Sequence, residues 1–78
     1  MSTPIDTRTD ILRVLDRAAP YALPEARLAE EFPQLSGADL AEHLGWLLDQ
    51  RLAGRMTDRL GATKWFIKEA GQTALRAL

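Results

Sequence analysis

Residues 36–50, SGADLAEHLGWLLDQ, decide how the rest of the chain is read. They form the longest and most strongly periodic segment, and the period predicts a central helix. At about 100° per residue, Leu40, Ala41, Leu44, Leu47 and Leu48 share one apolar arc, with Asp39, Glu42, His43, Trp46, Asp49 and Gln50 on the other side. Ser36 suits the N-cap, and Asp39 three positions on completes an S-x-x-D variant of the capping box. The apolar arc is expected to be buried, so the polar arc carries the question of a partner. Gly45, inside the helix, is expected to mark a close helix approach.

Upstream, residues 1–6 read as a short polar arm, frayed and without function. Thr7 and Asp10 give a second capping signal, and Ile11, Leu12, Val14, Leu15, Ala18 and Ala19 follow at helical spacing, predicting a first helix over 7–19. Pro20 stops it. Residues 20–23 are then a loop in which Tyr21 and Leu23 fold back on the core, Tyr21 as a lid. Pro24 suits the first position of a second helix, and Glu25 suits its positive end. Leu28, Ala29 and Phe32 form the apolar side of that helix, and Pro33 closes it. A short helix, a tight link and a longer helix have helix-turn-helix spacing.

Downstream, the helical period ends at Leu52, Ala53 and Gly54, and RMTDRL, Gly61-Ala62 and TKWFIK predict a hairpin with a type II′ turn. That turn sets Arg59 opposite Lys64, Thr57 opposite Phe66 and Arg55 opposite Lys68. Met56, Leu60, Trp65 and Ile67 then face the central helix, and Arg55, Thr57, Arg59, Lys64, Phe66 and Lys68 face outward. A last helix over 69–78 is expected to bury Ala70, Ala74 and Leu78.

At 78 residues the chain has room for one domain, 7–78 by this reading, and an apolar fraction of 46% is ordinary for a globular core. There is no cysteine, so neither disulfides nor a thiolate metal site can hold it, and helix packing or self-association must. With neither an apolar run long enough to span a bilayer nor a signal-peptide core, a soluble cytoplasmic protein is the expectation, with no membrane partner. The formal net charge of −1 lacks the basic excess on which nucleic-acid binding usually rests, although the distribution of charge matters more than its sum. His43 is the sole histidine, and Asp39 and Glu42 beside it lie on an open helix face. No catalytic residue, metal site, cofactor or small-molecule substrate is therefore expected.

Three helices, a two-stranded hairpin and a closing helix resemble the winged-helix layout, an α+β, mostly helical fold with a three-helix core and a β-hairpin wing. DQRLAGRM resembles the turn out of the third helix of such domains. TKWFIKEAGQTAL is similar to the aromatic-x-Ile-Thr-x-x-Gly-x-x-x-Leu ending of small bacterial winged-helix regulators of the MarR and PadR type. Leu52 stands where those proteins usually place glycine, and Lys68 stands where they place threonine, which costs the last helix a capping hydroxyl. The long terminal helices by which such regulators dimerise, and their effector domain, are missing from the sequence. The resemblance implies duplex DNA as the partner and transcriptional regulation as the role.

Two surfaces can carry that implication. Arg51, Arg55, Arg59, Lys64 and Lys68 make the wing cationic, and like charges opposed across the ribbon would be offset by phosphate; a solvated charged face is the plainer alternative. Asp39, Glu42, His43 and Trp46 are possible base or partner contacts on the central helix. Asp39 or Glu42 can accept from cytosine N4, yet each acid is repelled by the DNA backbone. Trp46 is either packed under the N-terminal arm or a loop, or exposed as the anchor of a protein interface. The rival reading is therefore a winged-helix module that docks a protein through this acidic face.

Overall fold

The computed structural model describes residues 4–78. Helix α1 is Pro4–Ala18, strand β1 Leu23–Pro24, α2 Glu25–Glu31, α3 Gly37–Asp49, β2 Ala53–Thr57, β3 Thr63–Ile67 and α4 Glu69–Arg76. The three helices, hairpin and closing helix are those expected, and a third short strand joins the hairpin in an antiparallel sheet of order β1-β3-β2.

Helix α1 begins three residues before the expected start and takes in part of the expected arm; residues 1–3 lie outside the described residues. Pro4 at the first helical position needs no partner for an N–H, and Asp6 in the first turn suits the positive end of the dipole. Ile11, Leu12 and Leu15 are its buried stripe. The Ala19–Pro20 peptide is cis, and the Tyr21 N–H donates to the Ala18 carbonyl at 2.9 Å. Tyr21 closes this turn at the surface, 76% exposed, so it is not the lid expected. Leu23 does reach the core, as half of the pair Leu23↔Trp65 in β1. Pro24 ends that edge strand, where a missing N–H is tolerated, and is the N-cap of α2, one position before the place expected for it.

In α2, Leu28 and Phe32 are buried, and Ala29, expected beside them, is exposed. Two residues four apart suffice to define the buried line of so short a helix. Helix α3 starts as its sequence specifies, with the Asp39 N–H donating to Ser36 Oγ at 3.0 Å. Leu40, Leu44 and Leu47 are buried and Leu48 half-buried, whereas Ala41 is exposed, because the stripe against the core is narrower than the apolar arc.

The exit from α3 explains one oddity of the sequence. Arg51, not Leu52, takes the left-handed conformation, with φ 60°. Its N–H donates to the Leu48 carbonyl, and the Leu52 N–H donates to the Leu47 carbonyl, both at 3.0 Å. This is a Schellman ending with arginine where glycine is favoured, and Leu47 and Leu52 close it as the usual apolar pair.

The hairpin differs most from expectation. Its register is Ala53↔Ile67, Gly54↔Phe66, Arg55↔Trp65, Met56↔Lys64 and Thr57↔Thr63, not the one a Gly61-Ala62 turn would set. Asp58 is the cause. Its Oδ1 accepts from the N–H groups of Leu60 at 2.8 Å and Ala62 at 2.9 Å, and the Gly61 N–H donates to the Asp58 carbonyl. Gly61 has φ 83°, so Asp58 to Gly61 form a turn with Asp first and Gly fourth, inside a longer loop. The shift is odd in residues, so the pairing of faces is exchanged. Trp65 is still buried and Ile67 half-buried, but Met56 is exposed and Leu60, at the loop tip, is 94% exposed. Phe66 lies on the face away from Trp65, as expected, but is half-buried there, its ring filling the space over Gly54.

Helix α4 lacks a side-chain cap at Lys68, as expected. Its buried face is Gly71 with Leu75 packed on the core, not Ala70, Ala74 and Leu78; Ala74 is half-buried and the other two are exposed. The Lys68 N–H donates to the Leu52 carbonyl, which brings α4 against the α3 exit and fixes its rotation. A Cβ on Gly71 would collide with that carbonyl and with Ile67, whereas one on Gly45 meets nothing within 4 Å, so Gly45 marks no close approach. Opposite effects on the thermal midpoint are expected. Gly71→Ala should destabilise the domain by about 1 to 3 kcal/mol as a backbone clash. Gly45→Ala should stabilise it by about 1 kcal/mol through helix propensity.

Candidate nucleic-acid interface

The wing cations do not share one face. Arg55 is exposed, pairs with Trp65 and places its guanidinium 5.8 Å from the Trp65 ring centroid, on the core-facing side of the ribbon. Lys64 pairs with Met56 on the opposite side and lies 3.9 Å from Asp58 Oδ2. Arg59 is exposed in the loop, Arg51 at the exit of α3, and Lys68 where β3 meets α4. The expected oppositions Arg59–Lys64 and Arg55–Lys68 are absent from the observed register, so no like-charge repulsion across the strands has to be offset. The N–H groups of Ala62 and Leu60, then the Lys64 ammonium, hold the Asp58 carboxyl below its ordinary pKa.

On α3, Asp39 and Glu42 are exposed, and with Asp49 they leave this helix three carboxylates and no lysine or arginine. Its solvent side also carries small residues, Ala38 and Ala41. His43 is half-buried at its edge, and Trp46 is exposed on it. His43 Nδ1 accepts from Arg8 Nε at 3.2 Å, and the Arg8 guanidinium lies 4.2 Å from the Trp46 ring centroid. Trp46 is 39% exposed and lines an apolar cleft with Ile5, Leu12, Leu75 and Leu78. Arg8 of α1 thus packs against a ring that still lies on the arc of Glu42 and Asp49, four and three residues away along α3.

Arg8 was not singled out from the sequence, although a signal for it exists: it precedes Leu12 by four and Leu15 by seven, on the buried stripe of α1. The distribution of charge along the chain was likewise missed. Residues 25–49, the helix-turn-helix, hold six acids and one arginine; residues 50–78 hold six cations and two acids. The near-zero net charge conceals an acidic half and a basic half.

Among the described residues there is no cluster of histidine and carboxylate side chains suited to a metal ion, and no helix is long and apolar enough to cross a membrane.

No family profile matches the sequence, and no curated protein matches it. Solved structures do match in fold. A MarR-family transcriptional regulator from Silicibacter pomeroyi aligns over 99% of this chain and 49% of its own, at 22% identity and a TM-score of 0.76. A mutant of MepR from S. aureus, bound to an oligodeoxyribonucleotide, aligns over 90% of this chain and 51% of its own, at 18% identity and a TM-score of 0.79. The adhesin competence repressor AdcR of Streptococcus pyogenes aligns over 92% of this chain and 51% of its own, at 19% identity and a TM-score of 0.76. The chain has the winged-helix fold and spans about half the length of these structures.

Proposed function

We propose that this winged-helix chain binds duplex DNA as a small transcriptional regulator, holding the phosphate backbone with its wing and with the exit of α3 and making little use of α3 as a base reader. The observation that carries this reading is the segregation of charge: six cations against two acids from residue 50 onward, with Arg51, Arg55, Arg59 and Lys68 all exposed. Phosphate contacts of this kind supply affinity and orientation but little sequence information. The fold shared with transcriptional regulators, one of them solved with an oligodeoxyribonucleotide, supports the same partner class.

A second reading has its own observation. The solvent side of α3 carries Asp39, Glu42 and Asp49 and no cation, which suits a basic protein surface better than a duplex. Trp46, 39% exposed with the Arg8 guanidinium against its ring, adds a partly exposed aromatic to the same surface.

The double variant Arg51→Gly/Arg59→Ala separates the two. Glycine relieves the left-handed strain at residue 51, a gain on the order of 1 kcal/mol, so the variant should melt no lower than the parent. Its duplex affinity should nevertheless fall, and the log–log salt slope should shrink by about 1.8, two phosphate contacts' worth. Unchanged duplex affinity in a folded variant would remove these cations from the mechanism and favour protein docking.

A further inference from the structure

Two features of the chain find no partner within it. The first is the tip of the wing. Leu60 is 94% exposed, more than any other large apolar side chain among the described residues, and its turn holds it out, since the Leu60 N–H donates to Asp58 Oδ1 at 2.8 Å. Arg59 beside it is exposed and makes no ion pair. The second is the apolar cleft between α1, α3 and α4, of about 130 Å³, with the buried Leu12 and Leu47 as its floor and the exposed Ile5, Trp46 and Leu78 at its mouth. Glu42 and Asp49, four and three residues from Trp46 along α3, stand at that mouth exposed and make no ion pair. Arg8, the one cation in the lining, is turned onto His43 Nδ1 and the Trp46 ring.

We infer that the wing tip of one copy of this chain docks in the cleft of another, with Leu60 as the knob and Arg59 against Glu42 and Asp49 at the mouth. This deepens the protein-docking reading of α3, on which it rests, by naming the basic surface as the chain's own wing. Three properties of tip and cleft match. A cavity of this order holds one apolar group of about the size of benzene, which suits a leucine side chain. An apolar knob flanked by a free cation meets an apolar hole rimmed by free carboxylates, so the charges are complementary. The knob is already fixed by the hydrogen bonds of its turn, which lowers the cost of ordering it on docking. Neither Arg59 nor Leu60 lines the cleft of its own chain, so the contact is made between copies. Knob and hole are different patches, which makes the association head-to-tail and leaves each pair with a free tip and a free cleft.

The test is sedimentation velocity of the full chain over a range of protein concentrations at low salt, without nucleic acid. The weight-average mass should rise with concentration past that of a dimer, and should fall as salt screens the charge contact. The tip variant Leu60→Ser should weaken self-association about tenfold or more. The cleft variant Ile5→Gln/Glu42→Gln/Asp49→Gln should do the same. All four side chains are exposed, so both variants should fold, which their thermal transitions check. Mixed together, the two variants should form a one-to-one complex that grows no further, because the intact cleft of the first accepts the intact tip of the second. A parent that stays monomeric, self-association untouched by Leu60→Ser, or no complex in the mixture overturns the inference. Loss of association in the cleft variant alone assigns the cleft to a symmetric contact between two clefts and overturns it as well. A monomeric parent that still binds a labelled oligolysine peptide, and loses it in the cleft variant, overturns self-docking while keeping the protein-docking reading of α3.

Discussion

Trp65→Ala is expected to destabilise the domain by about 3 to 5 kcal/mol, a large share of what a domain of this size has, leaving little folded protein at physiological temperature. Trp65 is 3% exposed and links β3 to three other elements. It pairs with Leu23 of β1 on one side and Arg55 of β2 on the other, and its Nε1 donates to Glu25 Oε1 of α2 at 3.0 Å. Truncation empties a large core site and leaves the Glu25 carboxylate without that donor. Trp65→Phe keeps much of the volume and should lose considerably less. Equal losses in chemical denaturation would mean that the hydrogen bond, not the packing, dominates.

Leu44→Ala is expected to cost about 2 to 5 kcal/mol, since Leu44 is fully buried at the centre of the α3 stripe. Leu48, half-buried on the flank of that stripe, should cost clearly less when replaced by Ala. The order of the two losses is the informative quantity. If Leu48→Ala proved as damaging as Leu44→Ala, α3 would be rotated toward Leu48, and the solvent side bearing Glu42 and Asp49 would move with it.

How far the sequence could be read depended on whether a signal was local. The start of α3 was legible because Ser36 and Asp39 specify it within one turn, and Leu44 and Leu47 were legible because nothing else competes for the core there. Trp65 was correctly placed inside even under the wrong register, since alternation along β3 sets it on the side of Ile67 whichever β2 residue lies opposite. The register itself was not legible from Gly61-Ala62, because Asp58 competes for the same turn and wins with two side-chain hydrogen bonds; the Asp-x-x-Gly spacing was the better guide. The rotation of α4 depends on a long-range bond from Lys68 to Leu52, invisible in the helix's own period. The glycine of the family-like ending, Gly71, gains its reason only from that contact. Strand β1 is two residues long, too short for any alternation to show. The candidate interface was half legible: its cations were named, but their division between the two faces of the ribbon follows from the register, and the role of Arg8 follows from long-range contacts with His43 and Trp46 that the period of α1 does not show.

The central claim, that the basic half of this chain holds a duplex by its phosphates, is tested most directly by measuring duplex affinity across a range of salt concentrations. If Arg51, Arg55, Arg59 and Lys68 each neutralise one phosphate, the logarithm of the association constant should fall against the logarithm of salt with a slope of about −3.6. A slope near zero, or no duplex binding at low salt, would contradict it.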